Sequence, residues 1–246
     1  MDFFEQKFQA EVLKEGMLFS IDKPLGWTSF SVVNKIRWHL KNQTGLNKLK
    51  VGHAGTLDPL ATGLLLICTG KKTKTIHELQ SKKKTYTGTV YLGATTPSYD
   101  LETKIDAKFP IQHLSDDLLH KTAKSFTGEI QQYPPLFSAL KKEGKRLFKY
   151  ARAGKKITLE KRTVRVFRFD ITYIKLPEVR FLVECSKGTY IRSLANDFGK
   201  KLKSGAHLTS LKRIKNGNFS ISDAYTMESV VHENNKKNIR SVKSIK

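Results

Sequence analysis

The sequence predicts an α+β fold with a central mixed, mostly antiparallel sheet flanked by helices and loops. Three observations carry this. Segments with period-2 alternation and segments with 3.6-residue apolar stripes both occur along the chain. They do not alternate as regular βαβ units, and the strand-like runs 163–174 and 179–185 follow one another directly. A chain of 246 residues with 39% hydrophobic content can also bury a sizeable core.

The elements can be justified in order. "GMLFSIDKP" (16–24) reads as a strand ending at a Pro-Gly turn. "TSFSVVNKIRWHL" follows as a helix, with Thr28 or Ser29 as N-cap and Val33, Ile36 and Leu40 at helical spacing. "TYTGTVYLG" (85–93) alternates, placing Tyr86, Gly88, Val90 and Leu92 on one face. "SDDLLHKTAKSFTGE" predicts a helix capped by Ser115 and stopped near Gly128, with Leu118, Thr122 and Phe126 on one face. "TVRVFRFDITYI" (163–174) and "VRFLVEC" (179–185) are neighbouring strands. "TYIRSLANDFGKKL" carries a helical stripe of Ile191, Leu194, Ala195, Phe198 and Leu202. The organisation expected is one catalytic domain over 1–224, followed by a polar, basic tail over 225–246. There is no internal repeat.

Charge narrows the function. Forty-five basic residues against 22 acidic ones give +23, far beyond what solubility needs. Such a surplus implies a polyanionic partner, nucleic acid first and an anionic membrane surface second. The longest apolar run, "GLLLIC" (63–68), is too short to span a bilayer, and the first 16 residues hold no secretory h-region, so a cytoplasmic protein is expected. The two cysteines, Cys68 and Cys185, lie in apolar segments and read as buried thiols. Seven histidines without paired spacing argue against a metal site.

One segment concentrates the charge. Residues 141–168 hold 12 basic residues against two acids, a local +10, with Phe148, Tyr150 and Phe167 interleaved. A solvated helix and strand would explain a charge run of this kind. The glycine-rich, loop-prone setting favours an arm that grips phosphates, with Lys145, Arg146, Lys149 and Arg152 as contacts.

A second segment concentrates chemistry. "VGHAGTLDPLATGLLLICTG" (51–70) sets Gly52, Gly55 and Gly63 around one carboxylate, Asp58, with His53 five positions upstream. Asp-Pro is a common helix start, which is the plain alternative for Asp58. The glycines mark tight turns or close approach. A phosphate loop would need the GK[ST] ending or the GxGxxG spacing, and both are missing.

These stretches resemble a known family, the bacterial tRNA pseudouridine-55 synthases of the TruB family. The resemblance rests on "DKPLGWTSF" (22–30), "GHAGTLDPLATG" (52–63), "KTYTGTVYLG" (84–93), "PPLFSALKKEGKRLFKYARAG" (134–154), "CSKGTYIRSLANDFG" (185–199) and "GAHLTSLKRIKNGNF" (205–219), in order and spacing. It implies a pseudouridine synthase fold that isomerises one uridine in the T loop of tRNA without cofactor or metal. It assigns Asp58 as catalytic nucleophile, Arg192 as the arginine paired with it, and Tyr86 as a tyrosine stacking on the target base and able to transfer a proton. Tyr190 and Leu211 would enclose the base. His53 would fill the gap left when the uridine flips out, and 134–162 would be the RNA-gripping loop. Pro97 stands where the family often carries Asp, with Asp100 downstream, and the short C-terminus leaves no room for a PUA domain. The partner implied is the tRNA T-stem loop, and a monomer with no obligate protein partner is expected. The competing readings are a tRNA-binding chaperone of the same fold and a synthase acting on another RNA, the latter disfavoured by "GTLDPLATG".

Overall fold

The computed structural model describes residues 9–155 and 157–231. They divide into two compact units, one from residues up to 84 together with those from 212 onward, the other from 85–211. No helix among the described residues is long and apolar enough to cross a membrane.

The first unit begins with α1 (Ala10–Glu15), β1 (Leu18–Lys23) and α2 (Ser29–Thr44). Two strands, β2 (Val51–Ala54) and β3 (Ala61–Thr69), bracket the Asp58 loop, and α3 (Ile76–Ser81) follows. β1 runs antiparallel to β3 from Leu18 opposite Cys68 to Lys23 opposite Gly63. β2 pairs antiparallel with the far end of β3, Val51 opposite Thr69. The run read only as apolar is thus a buried strand, because both of its faces are covered. α2 starts where Thr28 accepts a hydrogen bond from the Ser31 amide, as its sequence predicts. Its Val32, Val33, Ile36 and Leu40 pack with Phe19, Ile21, Leu65 and Ile67 into one core.

The segment expected to open a polar tail at 225 behaves differently. Tyr225 extends the sheet by a parallel bridge to Ile21, and Met227 and Val230 on a short helix, Met227–Val231, are buried in the same core. Apolar residues three apart on one helical face account for this. Residues 232–246 of that expected tail lie outside the described residues.

The second unit holds β4 (Lys84–Leu92, from Thr85 on), the paired two-residue strands β5 (Ala94–Thr95) and β6 (Ala107–Lys108), and α4 (Asp116–Lys124). β7 (Gly128–Gln132), a two-residue hairpin of β8 (Lys141–Lys142) and β9 (Lys145–Arg146), and α5 (Leu147–Arg152) come next. β10 (Arg162–Lys175), β11 (Glu178–Cys185), α6 (Ile191–Lys201) and β12 (Ala206–Asn216, to Leu211) complete it. β10 is antiparallel both to β11 and to β7. Beneath this sheet Phe126, Phe169, Phe181 and Phe198 meet at ring distances of 5.4–6.4 Å. α4 is capped by Ser115 as predicted, but it ends at Lys124 and buries Leu119, Thr122 and Ala123. Gly128 does not stop the helix; with φ +109 it opens β7 instead. Cys68 and Cys185 are both buried and not joined in a disulfide, and burial pushes the Cys68 thiol up to about 11.

Candidate active site

In the first unit, Asp58 sits in a loop that buried polar groups fix from beneath. No helix follows it. The Ala61 amide donates to the Asp58 carbonyl at 3.1 Å to close a turn, and β3 begins at once. The helix-start explanation of Asp-Pro therefore fails. Ser29, at the start of α2, donates its hydroxyl to the Leu57 carbonyl at 3.1 Å and accepts from the Leu57 amide at 2.8 Å. One buried side chain thereby satisfies both backbone groups of the residue before Asp58.

Two cations complete the support. Lys23 is fully buried, and its ammonium donates to the carbonyls of Trp27 at 2.6 Å, Pro24 at 2.8 Å and Pro59 at 3.4 Å. Burial lowers its pKa to about 8, against the opposing pull of the Asp58 charge. Arg213 is 1% exposed and donates to the carbonyls of Leu64 at 2.7 Å and Gly55 at 3.0 Å. Gly63 must be glycine, since a Cβ there would run into the Arg213 backbone and its φ is +102. The loop is thus held at Gly55, Leu57, Pro59 and Leu64, on both sides of the carboxylate.

His53 lies on β2, opposite Ile67. Its Nδ1 is buried without a hydrogen-bond partner. Burial, and then the Arg213 charge, hold its pKa below the ordinary histidine value, although the nearby Gly55 backbone opposes this. The ring is therefore neutral at neutral pH, a flat and weakly polar group.

In the second unit, Arg192 is not the surface charge that its place in a first helical turn would suggest. It is 3% exposed. Its guanidinium donates to the Phe137 carbonyl at 2.8 Å and the Ser98 carbonyl at 3.2 Å, and lies 3.6 Å from the Asp100 carboxylate. Asp100 in turn accepts from the Glu102 amide at 3.0 Å. Tyr86 is buried on β4. Two residues on, a Cβ at Gly88 would meet the Ser210 carbonyl, so β4 and β12 approach closely there. The Tyr190 backbone is clamped at both groups by Gln132, whose side chain donates to its carbonyl at 3.0 Å and accepts from its amide at 2.8 Å. Leu211 is half-buried on β12.

The basic arm is built differently. Lys141 pairs with Arg146 across the β8–β9 hairpin, and α5 is anchored by the buried Leu147. Lys145, Arg146 and Lys149 face solvent. Arg152 does not stand alone as a phosphate contact: it makes a 3.1 Å ion pair with Glu102 and lies 5.5 Å from the Phe148 ring.

Sequence reasoning missed Lys23, Ser29, Arg213, Gln132 and Glu102. Lys23, Ser29 and Arg213 lie within blocks that carried the resemblance, which was the only signal available, since hydropathy places charged residues outside.

Comparison with known proteins fits these features. The profile of the TruB family pseudouridylate synthase N-terminal domain matches residues 41–191, and that of the tRNA pseudouridylate synthase B C-terminal domain matches 192–242. The class defined is a pseudouridylate synthase. Proteins named tRNA pseudouridine synthase B are similar along nearly their whole length. The one from Flavobacterium johnsoniae is 60% identical over 85% of this chain and 92% of its own, and the one from Phocaeicola vulgatus 51% over 88% and 92%. The chain belongs to the TruB family. Among solved structures, a Cbf5-Nop10-Gar1 complex aligns with TM-score 0.66 and 30% identity, and an H/ACA RNP bound to a substrate RNA containing 2'-deoxyuridine with 0.64 and 28%. The chain spans 53% and 56% of the length of those two matched chains, which cover 87% and 92% of it.

Proposed function

We propose that this chain converts uridine to pseudouridine in tRNA, at position 55 of the T loop. The observation that carries the reading is the Asp58 loop: a single carboxylate fixed through four neighbouring backbone positions by Ser29, Lys23 and Arg213, in a member of a pseudouridylate synthase family.

The reaction is an isomerisation, so no oxidant, reductant or second substrate enters. The N1–C1′ bond breaks, the ring turns, a C5–C1′ bond forms, and the proton lost from C5 is balanced by one gained at N1. Asp58 acts as the nucleophile that holds the sugar or the ring while the glycosidic bond is open. Fixing its backbone spares the carboxylate a search for its attacking position. Arg192 is the cation assigned to the chemistry, and its neighbours Asp100, Ser98 and Phe137 hold the guanidinium. Tyr86 stacks on the base and serves proton transfer, while Tyr190 and Leu211 enclose it.

The uridine has to leave a stacked loop, at a cost of about a few kcal/mol. A neutral His53 ring taking its place recovers part of this. Phosphates are gripped by Lys145, Arg146 and Lys149, with Arg152 joining when it leaves Glu102. We take the protein to act as a monomer in the cytoplasm, without an obligate protein partner. The test is to incubate purified protein with unmodified tRNA transcripts and map pseudouridine. Pseudouridine confined to position 55 is expected; its absence from every tRNA would overturn the reading.

A further inference from the structure

α2 of the first unit has an outer face that neither the fold nor the proposed chemistry uses. Its inner face is filled by Val32, Val33, Ile36 and Leu40. Its outer stripe, at every fourth residue, is Phe30, Asn34, Trp38 and Asn42, all exposed. Phe30 is 64% and Trp38 58% exposed, and Leu25, just before the helix, is 63% exposed. Large apolar groups on a free surface cost solubility without return, so two along one helical stripe with a third just before the helix call for a partner.

Charge identifies that partner. A solvated helix normally interleaves acids and bases. α2 carries Lys35, Arg37 and Lys41 and no acid in its 16 residues. The Lys35 ammonium lies 5.2 Å from the Trp38 ring centre, and the Arg37 guanidinium is steadied by the Asn34 side chain and the Val51 carbonyl, both at 3.1 Å. Exposed aromatic rings bordered by cations and amides are what unstacked bases and phosphates require. An acidic protein would want the cations, but it would leave flat rings at this spacing unexplained.

The face is also continuous with the Asp58 loop. Ser29, adjacent to Phe30, holds Leu57; Gly26, adjacent to Leu25, donates its amide to the Pro59 carbonyl at 2.9 Å. From Phe30 the stripe runs to Trp38, eight residues or about 12 Å along the axis, the span of two or three nucleotides.

We propose that the Leu25–Phe30–Trp38 face of α2 is an RNA-contact surface. It takes nucleotides flanking the reacting one, stacking on Phe30 and Trp38 while Lys35 and Lys41 meet the phosphates. The identity of the RNA as tRNA rests on the function proposed above; the surface does not.

Trp38 can report on this directly, because the chain has only two tryptophans. In Trp27→Phe, saturating tRNA transcript should quench Trp38 emission and cut its access to acrylamide. Should that variant not fold, the difference between wild type and Trp38→Phe isolates the same signal. Phe30→Ala with Trp38→Ala should weaken tRNA binding about thirtyfold or more with an unchanged salt slope, and Lys35→Ala with Lys41→Ala should flatten that slope by about 1.5. Unchanged affinity in a correctly melting double variant, with Trp38 emission indifferent to bound tRNA, would overturn the proposal. So would concentration-dependent self-association that Trp38→Ala abolishes, since the face would then belong to a second copy of the chain. Pseudouridine formation by the wild type is scored alongside. Turnover with a silent Trp38 sinks the surface alone, whereas a Trp38 response to tRNA without turnover of any tRNA sinks the isomerisation alone.

Discussion

The Asp58 loop and the basic arm both serve RNA in this reading, and they are built by opposite rules. Around Asp58 the cations are buried and spent on carbonyls of their own unit: Lys23 on Trp27, Pro24 and Pro59, Arg213 on Leu64 and Gly55. In the arm, Lys145, Arg146 and Lys149 face solvent, and Arg152 makes one exposed ion pair of the kind worth little in water. A nucleophile, the role proposed for Asp58, must be placed to a fraction of an ångström, and the polar groups beneath it are hydrogen-bonded within their own unit. A phosphate grip needs charge and reach, which order would only restrict.

That contrast can be broken at several points. Removing the proposed nucleophile should have the largest effect. Asp58→Asn should keep the fold and tRNA binding and lose detectable turnover, and activity within tenfold of wild type would reject the nucleophile assignment. Next is the support beneath it. Arg213→Ala leaves the Leu64 and Gly55 carbonyls without their donor and opens a void, so unfolding by denaturant should show a loss of about 3 kcal/mol. No comparable loss is expected from replacing any single exposed arm cation, Lys145, Arg146 or Lys149.

In the arm the effects should appear in salt dependence and leave stability nearly untouched. Replacing Lys145, Arg146, Lys149 and Arg152 by Ala should flatten the slope of log K against log salt by roughly two to three units, at about 0.7–0.9 per contact. Glu102→Gln should move the slope the other way by about one contact, because it releases Arg152. An equal slope in the Gln variant would mean that the ion pair does not compete with RNA.

The smallest effect belongs to His53. Its pKa is lowered in the folded state, so below about pH 6.5 the unfolded chain takes up a proton that the folded one refuses. Stability contributed by this site is full above that value and falls as pH drops through it. In His53→Gln the difference in melting temperature between pH 7.5 and pH 5.5 should narrow. An unaltered difference would mean that the ring titrates normally.

Much of the fold was legible because local signals agreed with it. The Thr28 and Ser115 caps make the predicted bonds, and the stripes on α2 and α6 face inward. β2 and β3 were not read as strands, since a short apolar run has no period to distinguish strand from helix. The candidate residues were legible only as a pattern of blocks. What binds them to their neighbours was not: Arg213 reaches Leu64 across 149 positions, and Arg192 lies against Asp100 across 92. Lys23 and Arg213 escaped notice for the further reason that burial of a charge depends on carbonyls that only the folded chain assembles. Met227 and Val230 are an isolated apolar pair in a polar stretch, and their burial depends on the core that the folded chain sets beside them.

The two buried thiols have a practical consequence. A maleimide reacts with thiolate, and the Cys68 thiol, pushed up to about 11, offers almost none at neutral pH. Cys185 is likewise shielded by its position inside β11. The native chain is therefore a quiet background for dye attachment. A single cysteine placed at Lys149 would be the one rapidly labelled position, and a fluorophore there would time the arrival of RNA at the arm without any native cysteine having to be removed.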